Sequence, residues 1–249
     1  MLEALAEEFA RDFAKLPLGE RLSLLRREVP GRIVFTSSLG LEDQVLTHVI
    51  AEQKLDIEIT TLDTGRLFPE TYQLWEETEA HYGLRIKAFT PSHEALQHFV
   101  DTEGVNAFRH SIDVRKTCCG IRKVEPLGRA LAGANAWVTG LRADQSAGRG
   151  GASFAEVDRG HQLLKVNPLL DWTRDQAAAF AEANHVPVNA LHARGFLSIG
   201  CAPCTRAIAP GEPERAGRWW WEDEANKECG LHVGPDGRLV RTKRPESVA

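Results

Sequence analysis

The five cysteines of the chain fall into groups whose spacing suggests two kinds of chemistry. Cys118 and Cys119 are adjacent, Cys201 and Cys204 form a C-x-x-C, and Cys229 lies apart near the end of the chain. Thiolates bind soft metals and iron–sulfur clusters, and adjacent cysteines cannot easily form a disulfide with each other. The first four cysteines therefore predict one four-thiolate site, assembled from two distant segments, which zinc or a 4Fe-4S cluster would fit.

The remaining cysteine has the pattern of a nucleophile. Cys229 lies within the sequence Lys-Glu-Cys-Gly-Leu-His, apart from the four grouped cysteines. An unpaired thiol attacks an electrophile through its thiolate form, and a free cysteine titrates at about 8.5. We therefore predict that Cys229 is the reactive thiol and that nearby cations, or the bound state, lower its pKa.

Charge and composition exclude two classes of partner. The 249 residues carry a net charge of −5, and the sequence pI is 6.0, so a nucleic-acid-coating surface is not expected. The first 14 residues read as an amphipathic helix with charged residues, not as a signal peptide. No segment approaches the roughly 18 apolar residues of a membrane span. With an odd number of cysteines in metal-like groups, the sequence predicts a reducing cytoplasm.

Strand and helix patterns alternate along the chain from residue 32 onward. This alternation predicts an α/β fold in which helices cover both faces of a parallel twisted sheet. Residues 1–192 are expected to form this α/β domain, including the N-terminal helix, and residues 193–249 a C-terminal segment with little sheet structure. The predicted strands are 32–36, 57–62, 84–89 and 137–140, and the main predicted helices are 69–82, 92–100 and 173–183.

Three loops follow predicted strands with residues suited to binding a ligand. Open parallel sheets bind ligands at the carboxyl ends of their strands. The first loop offers hydroxyls and N–H groups at a helix N-terminus, which suit a phosphate or sulfate. The second loop offers an Asp and a Thr, which suit a ribose or base. The third loop offers a guanidinium, which suits an anion. Each loop alone could be a plain turn. The candidate binding residues are Ser37, Ser38, Gly40, Asp63, Thr64, Gly140 and Arg142.

Further cations lie near the cysteines in the sequence. The helix that carries the adjacent cysteines continues through Arg122 and Lys123, which are candidate substrate contacts. Lys123 lies four residues after Cys119, so an α-helix would place this cation on the same face as the thiolate. Arg215 and Arg218 lie between the C-x-x-C and the last cysteine. They are either a charged surface stretch or further contacts for an anionic substrate.

Taken together and in order, these motifs resemble the bacterial assimilatory adenylyl-sulfate (APS) reductases. The resemblance spans residues from about 32 to 232, and its cysteine arrangement is highly specific. The motifs that carry it are Ser38-x-Gly40-x-Glu42-Asp43, Leu62-Asp63-Thr64-Gly65-Arg66, Cys118-Cys119-Gly-Ile-Arg-Lys, Gly140-x-Arg142-x-Asp144-Gln145-Ser146, Gly200-Cys-x-Pro-Cys-Thr-Arg206, Arg218-Trp-Trp-Trp and Lys227-Glu-Cys-Gly-Leu-His232.

The resemblance implies a fold, a cofactor and a reaction. The fold would be akin to the PP-loop adenine-nucleotide hydrolases, a Rossmann-like sheet followed by a C-terminal catalytic tail. One 4Fe-4S cluster per subunit would be held by Cys118, Cys119, Cys201 and Cys204. Cys229 would attack the sulfur of APS and release AMP, in the sulfate assimilation that supplies cysteine biosynthesis. Thioredoxin or a similar dithiol protein, bound transiently, would then release sulfite.

The resemblance also implies roles for the charged residues. The cations that would neutralise the phosphosulfate are Lys123, Arg142, Arg215 and Arg218, and His232 would help to position the tail. The first loop departs from the Ser-Gly-Gly-x-Asp-Ser pattern of PP-loop ATPases at Leu39 and at Glu42-Asp43. It is therefore expected to hold a sulfonucleotide better than ATP.

Alternatives remain open at this point. The substrate could be the 3′-phosphorylated compound PAPS, or both sulfonucleotides. A sulfur transferase acting on tRNA would also combine a PP-loop-like sheet with cysteines, but it should have a complete phosphate loop and a basic surface. A non-catalytic redox or zinc-binding regulator would leave Cys229 without a role. The chain could also form a homo-oligomer.

Overall fold

The structure, a computed structural model, describes residues 2–145, 149 and 151–223. The described residues form one six-stranded sheet, whose strands are β1 Ile33–Ser37, β2 Glu58–Leu62, β3 Lys87–Phe89, β4 Ala136–Val138, β5 Ala155–Asp158 and β6 Leu163–Val166. Their spatial order is β3-β2-β1-β4-β6-β5. The chain moves outward from β1 to β3 and then returns to the other side of β1. A topological switch point therefore lies between β1 and β4, where open α/β sheets bind their ligands.

The sheet is parallel except at one edge. Strands β1, β2, β3, β4 and β6 pair in parallel, whereas β5 pairs with β6 in antiparallel fashion. The expected parallel sheet is confirmed, but the β5–β6 hairpin was not predicted. Each of its strands has only four residues. So short a run carries little periodic signal.

Eight α-helices surround the described part of the sheet, and several begin and end at the predicted signals. They are α1 Leu2–Phe13, α2 Leu18–Glu28, α3 Leu41–Glu52, α4 Pro69–Tyr82, α5 His93–Glu103, α6 Ile112–Cys119, α7 Glu125–Leu131 and α8 Arg174–Ala183. Pro69 begins α4, and Gly83 ends it with a φ of 63° in the left-handed region that suits glycine. Ser92 caps α5, and Thr173 forms a capping box with Gln176 at the start of α8.

Neighbouring residues of β1 belong to different apolar cores. Val34 packs with Leu127 and Trp137 on one face of the sheet, whereas Phe35 joins the larger core on the other face. Side chains alternate across a strand, so a strand buried on both faces carries a continuous apolar run. The N-terminal helix belongs to the larger core, where Phe13 meets Phe154 at a centroid distance of 6.2 Å. This two-sided burial holds the carboxyl ends of the strands in fixed relative positions.

The cysteine-bearing helix is not α-helical throughout. Residues Gly120–Val124 form a π-helical turn between α6 and α7. Further along the chain, the part of the C-terminal segment that is described has little sheet structure, as expected, with an isolated bridge between Thr205 and Arg218. Among the described residues, no helix is both long enough and apolar enough to cross a membrane.

Candidate active site

A cavity of about 210 Å³ lies at the carboxyl ends of β1 and β4. Its walls include predicted residues from all three strand-end loops and from the C-terminal segment. The predicted substrate residues that line it are Ser37, Ser38, Gly40, Thr64, Lys123, Gly140, Arg215 and Arg218. The fold therefore brings together side chains that are up to 181 residues apart in the sequence. This is the largest group of predicted site residues that the described chain assembles in one place.

The loop after β1 is ordered by a carboxylate from the helix that follows it. Asp43 Oδ2 accepts hydrogen bonds from both the backbone N–H and the hydroxyl of Ser38, each at 2.6 Å. Ser37 Oγ accepts a bond from the Leu39 N–H at 3.1 Å. Leu39 itself has a φ of 60°, which is uncommon for a residue other than glycine. The loop is thus held in one shape before any ligand binds.

Asp43 also explains the glycine of the third loop. Its side-chain oxygen lies where a Cβ at position 140 would be, closer than real Cβ contacts allow, so Gly140 is needed for this approach. Burial raises the pKa of Asp43 to about 6, although its bonds to Ser38 oppose that rise. The carboxylate therefore lies at the base of the cavity between two of the predicted binding loops.

The second loop joins this cavity to the cysteines. Asp63 does not line the cavity, because its Oδ1 accepts from the Tyr72 hydroxyl at 2.6 Å and from the Gly65 N–H at 2.9 Å. Thr64 does line it, and its Oγ1 lies 3.2 Å from the Sγ of Cys201. Asp63 therefore shapes the turn that places Thr64 between the two sites. The expected ribose or base contact of Asp63 stays a prediction.

The four grouped cysteines line a second, smaller cavity of about 20 Å³. They form no disulfide and lie in an apolar cluster with Phe108 and Trp219. Among the described residues, no three His, Cys, Asp or Glu side chains are placed to hold a single metal ion. The buried indole Nε1 of Trp219 has no hydrogen-bond partner in the described chain. Four thiols, an apolar shell and an orphaned donor beside them fit an iron–sulfur cluster, whose sulfur atoms accept hydrogen bonds.

Cations from neighbouring elements act on these thiols. Burial alone would raise the pKa of Cys201, but Lys123, the hydrogen bond from Thr64 and the charge of Arg218 together lower it. Burial raises the pKa of Cys204 to about 12, and the charge of Cys201 adds to the rise. Metal binding displaces thiol protons, so cations that favour one thiolate also favour a metal or cluster.

Lys123 lines both cavities, as does Cys201. The sequence predicts that Lys123 lies near the cysteines, but the α-helical spacing on which this prediction rested is wrong. The π-helical turn at Gly120–Val124 replaces the α-helical spacing on which the i+4 argument depended. Arg122 lines the cysteine cavity instead of the larger one and donates to the Thr64 carbonyl at 2.6 Å. Arg122 therefore supports the loop that joins the two sites.

One arginine of the large cavity, Arg218, is buried. Arg218 is 6% exposed, and its guanidinium carbon lies 4.7 Å from the centroid of the Trp219 ring. A Cβ at position 200 would collide with this guanidinium, so Gly200 is required for its position. Its Nη1 donates to the Ile199 carbonyl at 3.3 Å, while its buried Nε has no hydrogen-bond partner among the described residues. Arg218 lines the cavity, and its charge suits an anionic ligand.

Arg142 differs most from its predicted role. The sequence predicted a guanidinium that binds the substrate anion, but the side chain is 0% exposed and does not line the cavity. It pairs with Glu42, Asp144 and Glu214. No role for Glu214 was predicted from the sequence, because charge pairing across 72 residues leaves no local signal. The direct substrate contact predicted for Arg142 is therefore corrected: its guanidinium contacts protein carboxylates.

Two predicted residues, Cys229 and His232, lie outside the described residues.

Residues 32–207 match the family model described as phosphoadenosine phosphosulfate reductase domain. The chain is similar to the adenosine 5'-phosphosulfate reductase of Sinorhizobium fredii (strain USDA 257), at 51% identity over 93% of this chain and 92% of that protein.

Solved structures give the same picture of the fold. The phosphoadenylyl-sulfate (PAPS) reductase of Candida auris, solved as a phosphate complex, has a TM-score of 0.70 at 27% identity and covers 82% of this chain and 96% of that one. The FMN adenylyltransferase of Candida glabrata, with FAD and inorganic pyrophosphate, has a TM-score of 0.50 at 16% identity over 96% of this chain and 80% of that one. The second likeness shows the fold alone. Both agree with the α/β fold expected from the sequence.

Proposed function

Because the chain belongs to the phosphoadenosine phosphosulfate reductase domain family, we propose that it reduces adenosine 5'-phosphosulfate (APS) to sulfite and AMP. The observation that carries the proposal is the 51% identity, over nearly the whole of both chains, to a relative named for this activity. The reaction belongs to sulfate assimilation, in which sulfite is an intermediate between sulfate and the thiol of cysteine. The enzyme is an oxidoreductase.

The charges of the large cavity support this substrate. Lys123 and Arg218 line the cavity beside Cys201, and these cations suit the phosphosulfate group of APS. The carboxylates of Glu42, Asp43 and Glu214 line the same cavity, so the positive charge is local and not a property of the whole wall. We assign the nucleoside to the part formed by the loops after β1 and β4, with Ser37 and Gly140 on its wall. Cations that touch both the anionic substrate and the cysteine cavity would hold the reacting sulfur near the cysteines.

The four grouped cysteines would hold one 4Fe-4S cluster per subunit. Support comes from their shared cavity and from the orphaned indole N–H of Trp219. When bound, the cluster supplies a fixed charge distribution beside the substrate. In the chain itself, Lys123 neutralises negative charge between the two sites, and Thr64 orients the Cys201 sulfur through a hydrogen bond.

The proposed chemistry is a covalent catalysis at Cys229. Its thiolate attacks the sulfur of the sulfate group, the bond between that sulfur and the bridging oxygen breaks, and AMP leaves with the electron pair. An S-sulfocysteine remains on the enzyme. A thiolate of a small dithiol protein, such as thioredoxin, attacks the Cys229 sulfur and displaces sulfite, and its second thiol then releases the oxidised dithiol and restores Cys229. The resemblance supports thioredoxin as the reductant and His232 as a positioning group. The grouping of the cysteines supports a cytoplasmic location.

A side-by-side assay tests the proposal and its alternative. The purified protein with its cofactor is given APS or PAPS, together with reduced thioredoxin, and sulfite release is measured. We expect kcat/KM for APS to exceed that for PAPS by about a hundredfold. A preference for PAPS would favour the second candidate, which the similarity to the Candida auris PAPS reductase supports. Sulfite release from neither compound would overturn the proposed function.

A further inference from the structure

Arg142 connects two elements that both form the wall of the large cavity. Its Nε donates to Glu42 Oε1 at 2.7 Å, and its Nη2 donates to Glu214 Oε2 at 2.7 Å and Oε1 at 2.9 Å. Glu42 belongs to the first turn of α3, directly after the Ser37–Gly40 loop. Glu214 belongs to the C-terminal segment and directly precedes Arg215. One buried guanidinium thus joins the β1 loop to the segment that carries the cavity arginines.

The geometry of this contact is suited to holding position. A single nitrogen of Arg142, Nη2, contacts both carboxylate oxygens of Glu214, while Nε holds Glu42, so one guanidinium fixes the two carboxylates relative to each other. The side chains of Arg142, Glu42 and Glu214 are 0%, 11% and 16% exposed, so water competes little for these bonds. Breaking one partner of a buried ion pair leaves the other charge uncompensated. The C-terminal segment is therefore fixed to the sheet at a defined point.

Arg142 cannot serve both as this connection and as an anion ligand. Burial opposes its charge, but Glu42 and Glu214 raise its pKa above the ordinary value, so the guanidinium remains charged, and each of its three nitrogens donates to a carboxylate. Arg215 and Arg218, one and four residues after Glu214, line the cavity together with Glu214 itself. The position of these two arginines depends on the path of the segment that Glu214 anchors.

We propose that Arg142 is a positioning residue, which holds Glu214 against Glu42 and so sets Arg215 and Arg218 on the cavity wall, where they bind the phosphosulfate. This inference rests on the proposed function, because its substrate is APS. It predicts that loss of the Glu214 anchor weakens APS binding through the two arginines and through no other group.

The test is a double-mutant cycle of APS affinity in full-length protein with its cofactor bound. All variants carry Cys229→Ser, so that APS binds without reacting. Glu214→Ala should weaken APS binding about tenfold in this background. In a protein that also carries Arg215→Ala and Arg218→Ala, the same change should weaken binding less than twofold, because the groups it positions are absent. Melting temperature and visible absorbance confirm that each variant retains its fold and cofactor.

The control removes a similar ion pair at the amino ends of the strands, away from the cavity at their carboxyl ends. Glu58 at the start of β2 pairs with Arg32 through two bonds of 2.8 and 3.0 Å. Glu58→Ala should leave APS affinity unchanged. An unchanged affinity in Glu214→Ala, or the same tenfold loss with and without the two arginines, would overturn the inference alone. No APS binding by the Cys229→Ser protein itself would overturn the proposed function and the inference with it.

Discussion

At the scale of single residues, Asp43 shows how a carboxylate can serve a site built for anions. The sequence predicts that the hydroxyl and N–H groups of the first loop bind the substrate, yet both Ser38 donors point to Asp43. The carboxylate is 7% exposed, and burial raises its pKa to about 6. Keeping a charged group in this position costs stability and orders the loop. The Glu42-Asp43 departure from the PP-loop pattern thus has a structural role.

The pKa of Asp43 predicts a pH-dependent stability. Its folded pKa of about 6 lies above the ordinary 3.8, so its contribution to stability is fully present below pH 3.8 and is lost as pH rises through 6. Asp43→Asn removes this titration. Between pH 5 and pH 7.5 the free energy of unfolding of the parent should fall by about 1 kcal/mol relative to that of the variant. The corresponding fall in melting temperature is about 3 °C. Thermal melts of both proteins at both pH values measure this. A difference in melting temperature that does not change with pH would contradict it.

At the scale of elements, the sequence predicts where the strands end, but it does not predict the ion pairs that join distant elements. Strand ends were predictable because apolar β-branched runs stop at Gly, Ser, Asp and Thr, and parallel strands bring those ends to one edge. The link from Arg142 to Glu42 spans 100 residues and that to Glu214 spans 72, and no local pattern encodes such pairs. The π-helical turn after Cys119 was equally invisible, because its composition matches an α-helix.

The close fit between Gly200 and Arg218 gives a prediction about the C-terminal segment. Gly200→Ala places a Cβ against the Arg218 guanidinium, so the arginine must move away from the cavity wall. We expect APS affinity to fall about tenfold, since small displacements of a binding group have large effects. Gly128→Ala in α7 is the matched control, because a Cβ there has no heavy atom within 4 Å. It should bind APS normally and gain roughly 0.5–1 kcal/mol in stability. Equal affinities in the two variants would show that Arg218 does not need this position.

At the scale of the whole molecule, two cavities share a wall. Lys123 and Cys201 line both of them, and Thr64 lies on the larger one in contact with Cys201. A sulfonucleotide in the larger cavity would therefore lie directly beside the cysteine site. The division into a 1–192 domain and a 193–249 segment stays a prediction, although Ala202 N–H already bonds to the Arg66 carbonyl of the domain at 2.8 Å.

The shared cysteine cavity predicts that ligand loss loosens two distant segments together. Cys118→Ser should lower iron content and melting temperature at once, because the proposed cluster would tie α6 to the C-x-x-C segment, whose cysteines share one buried cluster of side chains. Cys229→Ser is the matched control and should keep its iron. Iron analysis and visible absorbance measure both, and a colourless protein containing zinc would contradict a cluster. Full iron content in Cys118→Ser would remove that residue from the ligand set.

The central claim is that Cys229 makes a bond to the sulfur of APS. The most direct measurement mixes the parent protein with APS in the absence of any reductant and follows AMP together with the mass of the peptide that contains Cys229. We expect about one AMP per active site and the added mass of one sulfo group on that peptide, which disappears as reduced thioredoxin releases sulfite. An adduct on another cysteine, or sulfite release by the Cys229→Ser protein, would contradict it.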